Sequence, residues 1–354
     1  MKIGLAGLPN TGKTTIFNAL TRREAPVSSY ANPKAEPNIA VIDVDDERIT
    51  RLTDMYTPKK TTRATIELVD FVGFTAGAAK NGGLPPSFIS ELKTMDALAL
   101  VARNFTDDGG NAPDPAAEVK TLITEFLLSD LIVTENRLQR IEETYKRGKR
   151  TPDLEREEAI LRRIEATLNA DRPVSDCSFS PDEKKVIAGF QFVTQKPLLV
   201  IVNSGEENFR KGGAAKTLSE QYRTVEFAGA FEMELSRLDD EEKALFMADM
   251  GIDESARARL TRAAYDLLGC ISFLTVGADE VRAWTIREGN TALDAAAAIH
   301  SDLARGFIRA ECFTYADLME LNSEKAVKDA GRFRLEGKDY TVSDGDILNI
   351  RFSV

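Results

Sequence analysis

The strongest chemical signal in the chain lies close to its start. In Gly7-Leu8-Pro9-Asn10-Thr11-Gly12-Lys13-Thr14 two glycines precede a lysine and a hydroxyl at fixed spacing. In such a loop backbone N–H groups wrap phosphate oxygens, the lysine neutralises the terminal phosphates, and the threonine hydroxyl ligates Mg²⁺. The expected phosphate contacts are Asn10, Thr11, Gly12, Lys13, Thr14 and Thr15, with Lys13 also assigned to catalysis and Thr14 to the metal. A second signal follows the run Thr65-Ile66-Glu67-Leu68-Val69, which ends in Asp70-Phe71-Val72-Gly73. Beside a phosphate loop, an aspartate at a strand's carboxyl end holds Mg²⁺ through water, and a glycine there lets the backbone approach a γ-phosphate. Asp70 and Gly73 therefore join the candidate catalytic set.

A third signal, Asn203-Ser204-Gly205-Glu206, ends the run Lys196-Pro197-Leu198-Leu199-Val200-Ile201-Val202-Asn203. P-loop GTPases carry N-K-x-D at this place, where the Asp accepts two hydrogen bonds from guanine. Glu206 moves the carboxylate by one methylene, and Ser204 lacks the lysine stem that covers the base. Asn203 and Glu206 are thus expected at the base, where guanine selectivity is doubtful and adenine plausible, with Mg²⁺ as the accompanying cation.

These motifs need elements to position them. Short apolar strands over 2–6, 38–43, 64–70 and 97–103, with a helix opening at Gly12-Lys13-Thr14-Thr15, predict an α/β nucleotide-binding domain with a largely parallel sheet. The texture then turns charged and glycine-poor. Leu131, Leu138 and Tyr145, with Ile141 between, and then Leu154, Leu161 and Leu168, keep a helical seam on either side of a break at Gly148-Lys149-Arg150-Thr151-Pro152. This predicts an antiparallel helical hairpin with its tip at 146–152. Because a buried-type strand returns at 196–203, the hairpin is read as inserted: 1–128 and 194–268 form the nucleotide-binding domain, 129–193 the hairpin. A last helix meets Gly269, and 271–354 reads as an α+β module with strands at 271–275, 283–286, 333–335 and 347–352 and a helix over 293–303.

Composition narrows the function. The 354 residues are 43% apolar and 29% charged, in the range of a folded soluble protein. Acids exceed bases by 57 to 46, for a net charge of −11, so DNA is not expected as a partner and RNA contact would need a local patch. Lys146-Arg147-Gly148-Lys149-Arg150 is such a patch, or else a solvated turn. No apolar run is long enough for a membrane span. Three scattered cysteines, Cys177, Cys270 and Cys312, fit a cytoplasmic protein without a disulfide framework. The single histidine, His300, argues against His-based metal or Ser-His-Asp chemistry and is read as a partly buried helix residue. Trp284 is read as a packing residue in a strand.

With GLPNTGKTT, VDFVG, the N-x-x-E of Asn203 and Glu206, the inserted hairpin, EVRAWTIREGNTALDAAAAIHSDLARGFIRA and LEGKDYTVSDGD, the chain resembles the YchF or Obg-like ATPase family over essentially its whole length. The resemblance implies an α/β P-loop NTPase, a G domain of the translation-factor class that prefers ATP. It further implies a helical arm and a C-terminal TGS (ubiquitin-like) domain linked to ribosome or RNA contact. The expected function is a slowly ATP-hydrolysing regulator of translation or stress response. By motif match, Ala228, Gly229, Ala230, Phe231 and Glu232 would form the loop near the base. Phe74 stands where Ras-like proteins use a water-positioning glutamine.

Two positions depart from the family pattern. Its first switch reads T-I-E-P-N, whereas this chain reads Lys34-Ala35-Glu36-Pro37-Asn38, and the loop Thr106-Asp107-Asp108-Gly109-Gly110-Asn111 lacks the family's histidine. Lys34 is read as a solvated switch lysine or else as a cation on the phosphates, and Asn111 as a group that could orient water without acting as a base. Slow turnover is expected, the alternatives being an ATP-sensing scaffold impaired in hydrolysis and a GTP-binding GTPase.

Overall fold

The computed structural model describes residues 1–21, 37–71, 84–107 and 109–353. Lys34, Gly73 and Phe74 lie outside the described residues. Contacts divide the chain into two compact units, Met1–Ala40 with Glu67–Ala256, and Val41–Ile66 with Arg257–Val354.

The strands of the chain's first part are β1 (Lys2–Ala6), β2 (Asn38–Asp43), β3 (Lys60–Thr62), β4 (Thr65–Asp70), β5 (Ala97–Asn104), β6 (Leu198–Ser204) and β7 (Arg223–Phe227). All but β3 form one sheet in the order β2-β4-β1-β5-β6-β7, and the neighbours from β4 to β7 pair in parallel. Strand β5, Ala-Leu-Ala-Leu-Val-Ala-Arg-Asn, is buried along nearly its whole length, the pattern of a parallel strand covered on both faces. Leu98, Leu100 and Ala102 pack with Val200 and Val202 of β6, and with Phe71, Leu92, Val119, Leu122 and Phe126.

The helices that matter to the site and arm are α1 (Lys13–Thr21), α2 (Glu47–Tyr56), α3 (Pro86–Lys93), α4 (Pro115–Lys146) and α5 (Pro152–Asn169). Asp114 caps α4 by accepting from the Ala117 N–H, and Pro115 occupies the first turn, where its missing N–H costs nothing. The helix then runs 32 residues. Its first half covers the sheet through Val119, Leu122 and Phe126, whereas Leu127, Leu138 and Ile141 pack on Ile160, Leu161, Ile164 and Leu168 of α5. The hairpin seam at 131–168 is present, but the expected start of the hairpin at 129 falls inside one unbroken helix, because no glycine or proline interrupts it. Gly148, at φ +76°, turns the tip, and Thr151 caps α5. The buried Asp130 carboxylate accepts from Val193 N–H, Thr194 N–H and Thr194 Oγ1 at 3.0, 2.8 and 2.7 Å, fixing the point from which the chain re-enters β6.

In the second unit β8 (Cys270–Thr275), β9 (Glu280–Arg287), β10 (Phe307–Thr314), β11 (Arg334–Glu336) and β12 (Asp346–Phe352) form a sheet ordered β11-β10-β12-β8-β9-β3. Residues 41–66, placed in the nucleotide-binding domain by the sequence, thus contribute to this unit. Strand β3 pairs in parallel with β9, Arg48 bridges Asp46 and Asp344, and the Tyr56 hydroxyl donates to Glu324 at 2.8 Å. The helix Ala256–Leu268 groups here from Arg257 onward and ends at Gly269, at φ +57°.

The expected helix over 293–303 is broken. His300, at φ −164° and ψ 143°, separates Ala292–Ile299 from Ser301–Arg305 and caps the second piece by accepting from the Asp302 N–H, so it is exposed rather than partly buried. Trp284 packs as expected, stacked on Phe273 at 6.3 Å with its indole N–H on Thr275 Oγ1. Cys312 is buried, and burial beside Asp346 pushes its thiol up to about 12. Among the described residues no helix is long and apolar enough to cross a membrane.

Candidate nucleotide site

The phosphate loop hangs between β1 and α1. Asn10 at φ +63° and Gly12 at φ +79° are both left-handed, a geometry that turns successive N–H groups inward to form an anion-binding concavity. A side chain at Gly12 would collide with the Asn203 amide, and one at Gly7 would lie 2.7 Å from the Val101 carbonyl. Thr11 Oγ1 donates to the Leu8 carbonyl at 3.0 Å, and Ile16 N–H bonds Gly12 O at 2.9 Å as α1 begins. Lys13 is buried, its ammonium donating to the Gly7 and Leu8 carbonyls at 3.1 and 3.0 Å. Burial pulls its pKa down to about 8 despite the nearby Asp70 and Glu118 charges, so a phosphate arriving there meets a cation short of counter-charge.

Asp70 closes the loop from the side. Its Oδ2 accepts from Thr14 Oγ1 at 2.9 Å and from Asn38 Nδ2 at 3.3 Å, while Oδ1 is buried without a hydrogen-bond partner. Burial pushes this carboxyl above its ordinary range, and the Thr14 and Asn38 bonds with the Lys13 charge pull it back. A buried carboxylate oxygen left over beside a threonine hydroxyl and a lysine suits a hydrated Mg²⁺, which takes oxygen ligands and keeps several waters. Thr14 would ligate such a cation and Asp70 would hold it, supplying neutralisation of phosphate charge.

The base end is built by Asn203. Its Nδ2 donates to the Thr11 carbonyl at 2.9 Å and its Oδ1 accepts from Gly229 N–H at 3.1 Å, tying the phosphate loop to the turn after β7. Gly229 is required there, since a Cβ would lie 2.5 Å from Asn203 Oδ1 and 2.7 Å from Ile16. Around this joint opens a cavity of about 590 Å³ lined by Gly12, Thr15, Asn203, Glu206, Ala228, Ala230 and Phe231, which were named from sequence, and by Phe105 and Asn208, which were not. That volume suits a nucleoside-sized ligand. Ser204 turns beneath it, buried between the Asn104 amide, which donates to its hydroxyl, and the Glu226 carboxylate, which accepts from it. Glu206 opens the short helix Glu206–Lys211 and is exposed.

Asn111 is placed differently from the other named residues. Its side-chain amide donates to both Asp107 oxygens, at 3.1 and 3.0 Å, and its carbonyl accepts from Arg103. The loop is thereby folded on itself, with the amide engaged internally.

Residues 2–137 match the family model described as 50S ribosome-binding GTPase, and residues 270–353 match that of the YchF-GTPase C-terminal family, described as a protein of unknown function. The chain is 38% identical to the Ribosome-binding ATPase YchF of Haemophilus ducreyi over 100% of its own length and 99% of the relative's. It is 35% identical to that of Bacillus subtilis over 99% of both. The chain belongs to the YchF family. The Schizosaccharomyces pombe YchF GTPase has the same fold, with a TM-score of 0.82 at 28% identity over 99% of this chain and 97% of that one. The P-loop G-domain architecture and the C-terminal α+β region expected from sequence therefore stand. In this YchF chain the joint at Asn203 explains why the phosphate loop, Asn203 and Gly229 come together although they are far apart in sequence.

Proposed function

We propose that this YchF protein binds and slowly hydrolyses ATP, favours ATP over GTP, and acts as a ribosome-associated regulator in the cytoplasm. The observation that carries the base preference is the position of Ser204. Its side chain is spent beneath the pocket on Asn104 and Glu226, so no lysine stem covers a base. The only acid at the motif's last position is Glu206, on the first turn of an exposed helix. Guanine recognition depends on a fixed carboxylate for two N–H donors, and an adenine lacks that pattern of donors. The relatives carry both ATPase and GTPase names, so the pocket chemistry and not the name supports ATP. In this reading Lys13 neutralises the phosphates and Thr14 and Asp70 hold Mg²⁺.

Ribosome contact is assigned to the TGS domain and the arm. At the arm tip Lys146 pairs with Glu142, and Arg150 pairs with Glu155 and lies over the Tyr145 ring at 5.1 Å, while Arg147 and Lys149 are exposed. A second reading, a hydrolysis-impaired ATP-sensing scaffold, is favoured by one observation: the Asn111 amide is held by Asp107.

Calorimetry with non-hydrolysable ATP and GTP analogues, beside phosphate release with and without ribosomes, separates these readings. Tighter ATP binding with ribosome-stimulated release is expected. Tighter GTP binding would overturn the base assignment, and no release under either condition would leave the scaffold.

A further inference from the structure

The first residue of β2, Asn38, reaches the metal end of the site from the strand beside β4. Strand β4 lies between β2 and β1, and each neighbour sends one donor to the carboxylate at the end of β4. From the β1 side comes the Thr14 hydroxyl, on the helix that follows that strand, and from the β2 side the Asn38 amide. Both donate to the same oxygen, Asp70 Oδ2, at 2.9 and 3.3 Å, and Oδ1 keeps no partner although it is buried. A carboxylate free to rotate about its last bond would present either oxygen. Two donors on one oxygen remove that freedom and leave Oδ1 as the oxygen available to a ligand.

We propose that Asn38 is a positioning residue for the divalent cation, holding the Asp70 carboxylate so that Oδ1 faces the hydrated metal. The proposal rests on the reading of this site as a nucleotide–Mg²⁺ site. Asn38 touches neither phosphate nor metal in this role. It acts through Asp70, as partners behind a metal-binding carboxylate generally do, and their removal costs about 10–100-fold in metal affinity. Asn38 follows directly on Pro37 at the end of the stretch in which Lys34 stands for the family's threonine. A neutral amide can share Oδ2 with Thr14 without competing for the cation, whereas a carboxylate at this position would add a second negative charge beside Asp70.

The test uses the full-length chain and a fluorescent ATP analogue, titrated in EDTA and over a range of MgCl₂ concentrations. For Asn38→Ala, analogue affinity in EDTA is expected to stay within about 2-fold of the parent while half-saturating Mg²⁺ rises about 10-fold. Asn38→Leu keeps the side-chain volume without the donor and carries the same expectation, so a folding failure of the alanine variant does not end the test. Superimposable Mg²⁺ curves for parent and variants overturn the proposal. So does an equal loss of affinity in EDTA and in Mg²⁺, the mark of a merely structural role. Failure of the parent chain to bind the analogue in either buffer removes the nucleotide-site reading itself, a result distinct from both.

Discussion

At the scale of single residues, Lys13 gives the site a pH dependence with a defined sign. Its unliganded pKa is about 8 because burial disfavours the charge, and bound phosphate restores a counter-charge that raises it. Binding therefore favours the protonated lysine. Affinity is expected to be level well below pH 8 and to fall as pH rises through it, by up to about tenfold per unit. Calorimetry across pH 7.5–9.5 reads this directly, and a flat profile would remove Lys13 from the phosphate contacts. Lys13, Thr14, Asp70 and Asn203 were legible because a strand followed by a turn fixes the spacing of what comes next. Phe105 and Asn208 were not, since Phe105 is a single residue just past the end of β5 and Asn208 lies inside the short helix after Glu206, neither at a position that a motif spacing marks. Asn38 carries no metal-site signal in the sequence, because its contact with Asp70 depends on which strand lies beside β4.

At the scale of elements, the arm's root is the most testable joint. Asp130 accepts three hydrogen bonds at the return into β6. Asp130→Ala leaves two buried N–H groups without an acceptor and is expected to cost about 2–3 kcal/mol. Asp130→Asn, which keeps one acceptor oxygen, should cost less. Urea denaturation measures both, and parental stability in the alanine variant would show that the carboxylate is not needed there. The strands β1, β2, β4, β5 and β6 were readable from apolar runs of the right length. β10 was missed because its inward residues Ala310 and Cys312 are small and alternate with Arg309 and Glu311, so little hydrophobic contrast reaches the sequence. The helix pair around His300 was read as one because nothing but a histidine marks the break.

At the scale of the whole molecule, the second unit is discontinuous in sequence, and that was not visible from composition: α2 and β3 look like ordinary members of the first domain until β9 is found beside β3. A fragment of residues 257–354 alone should therefore lack an edge strand and the helix that packs on β9. It is expected to bind a hydrophobic dye and melt without a sharp transition, and to recover cooperativity when a peptide of residues 41–66 is added. A sharp transition in the bare fragment would mean that 41–66 is dispensable. The same discontinuity sets a timetable during synthesis. Thr62 meets Glu280 across 218 positions and Arg48 meets Asp344 across 296. At about 5–20 residues per second, Thr62 waits roughly 10–40 s for its partner to be polymerised. Helix α2, which carries the buried Ile49 and Leu52 and packs on β9 in the finished fold, spends that interval without that strand, so the segment made among the earliest is among the last to be locked in place.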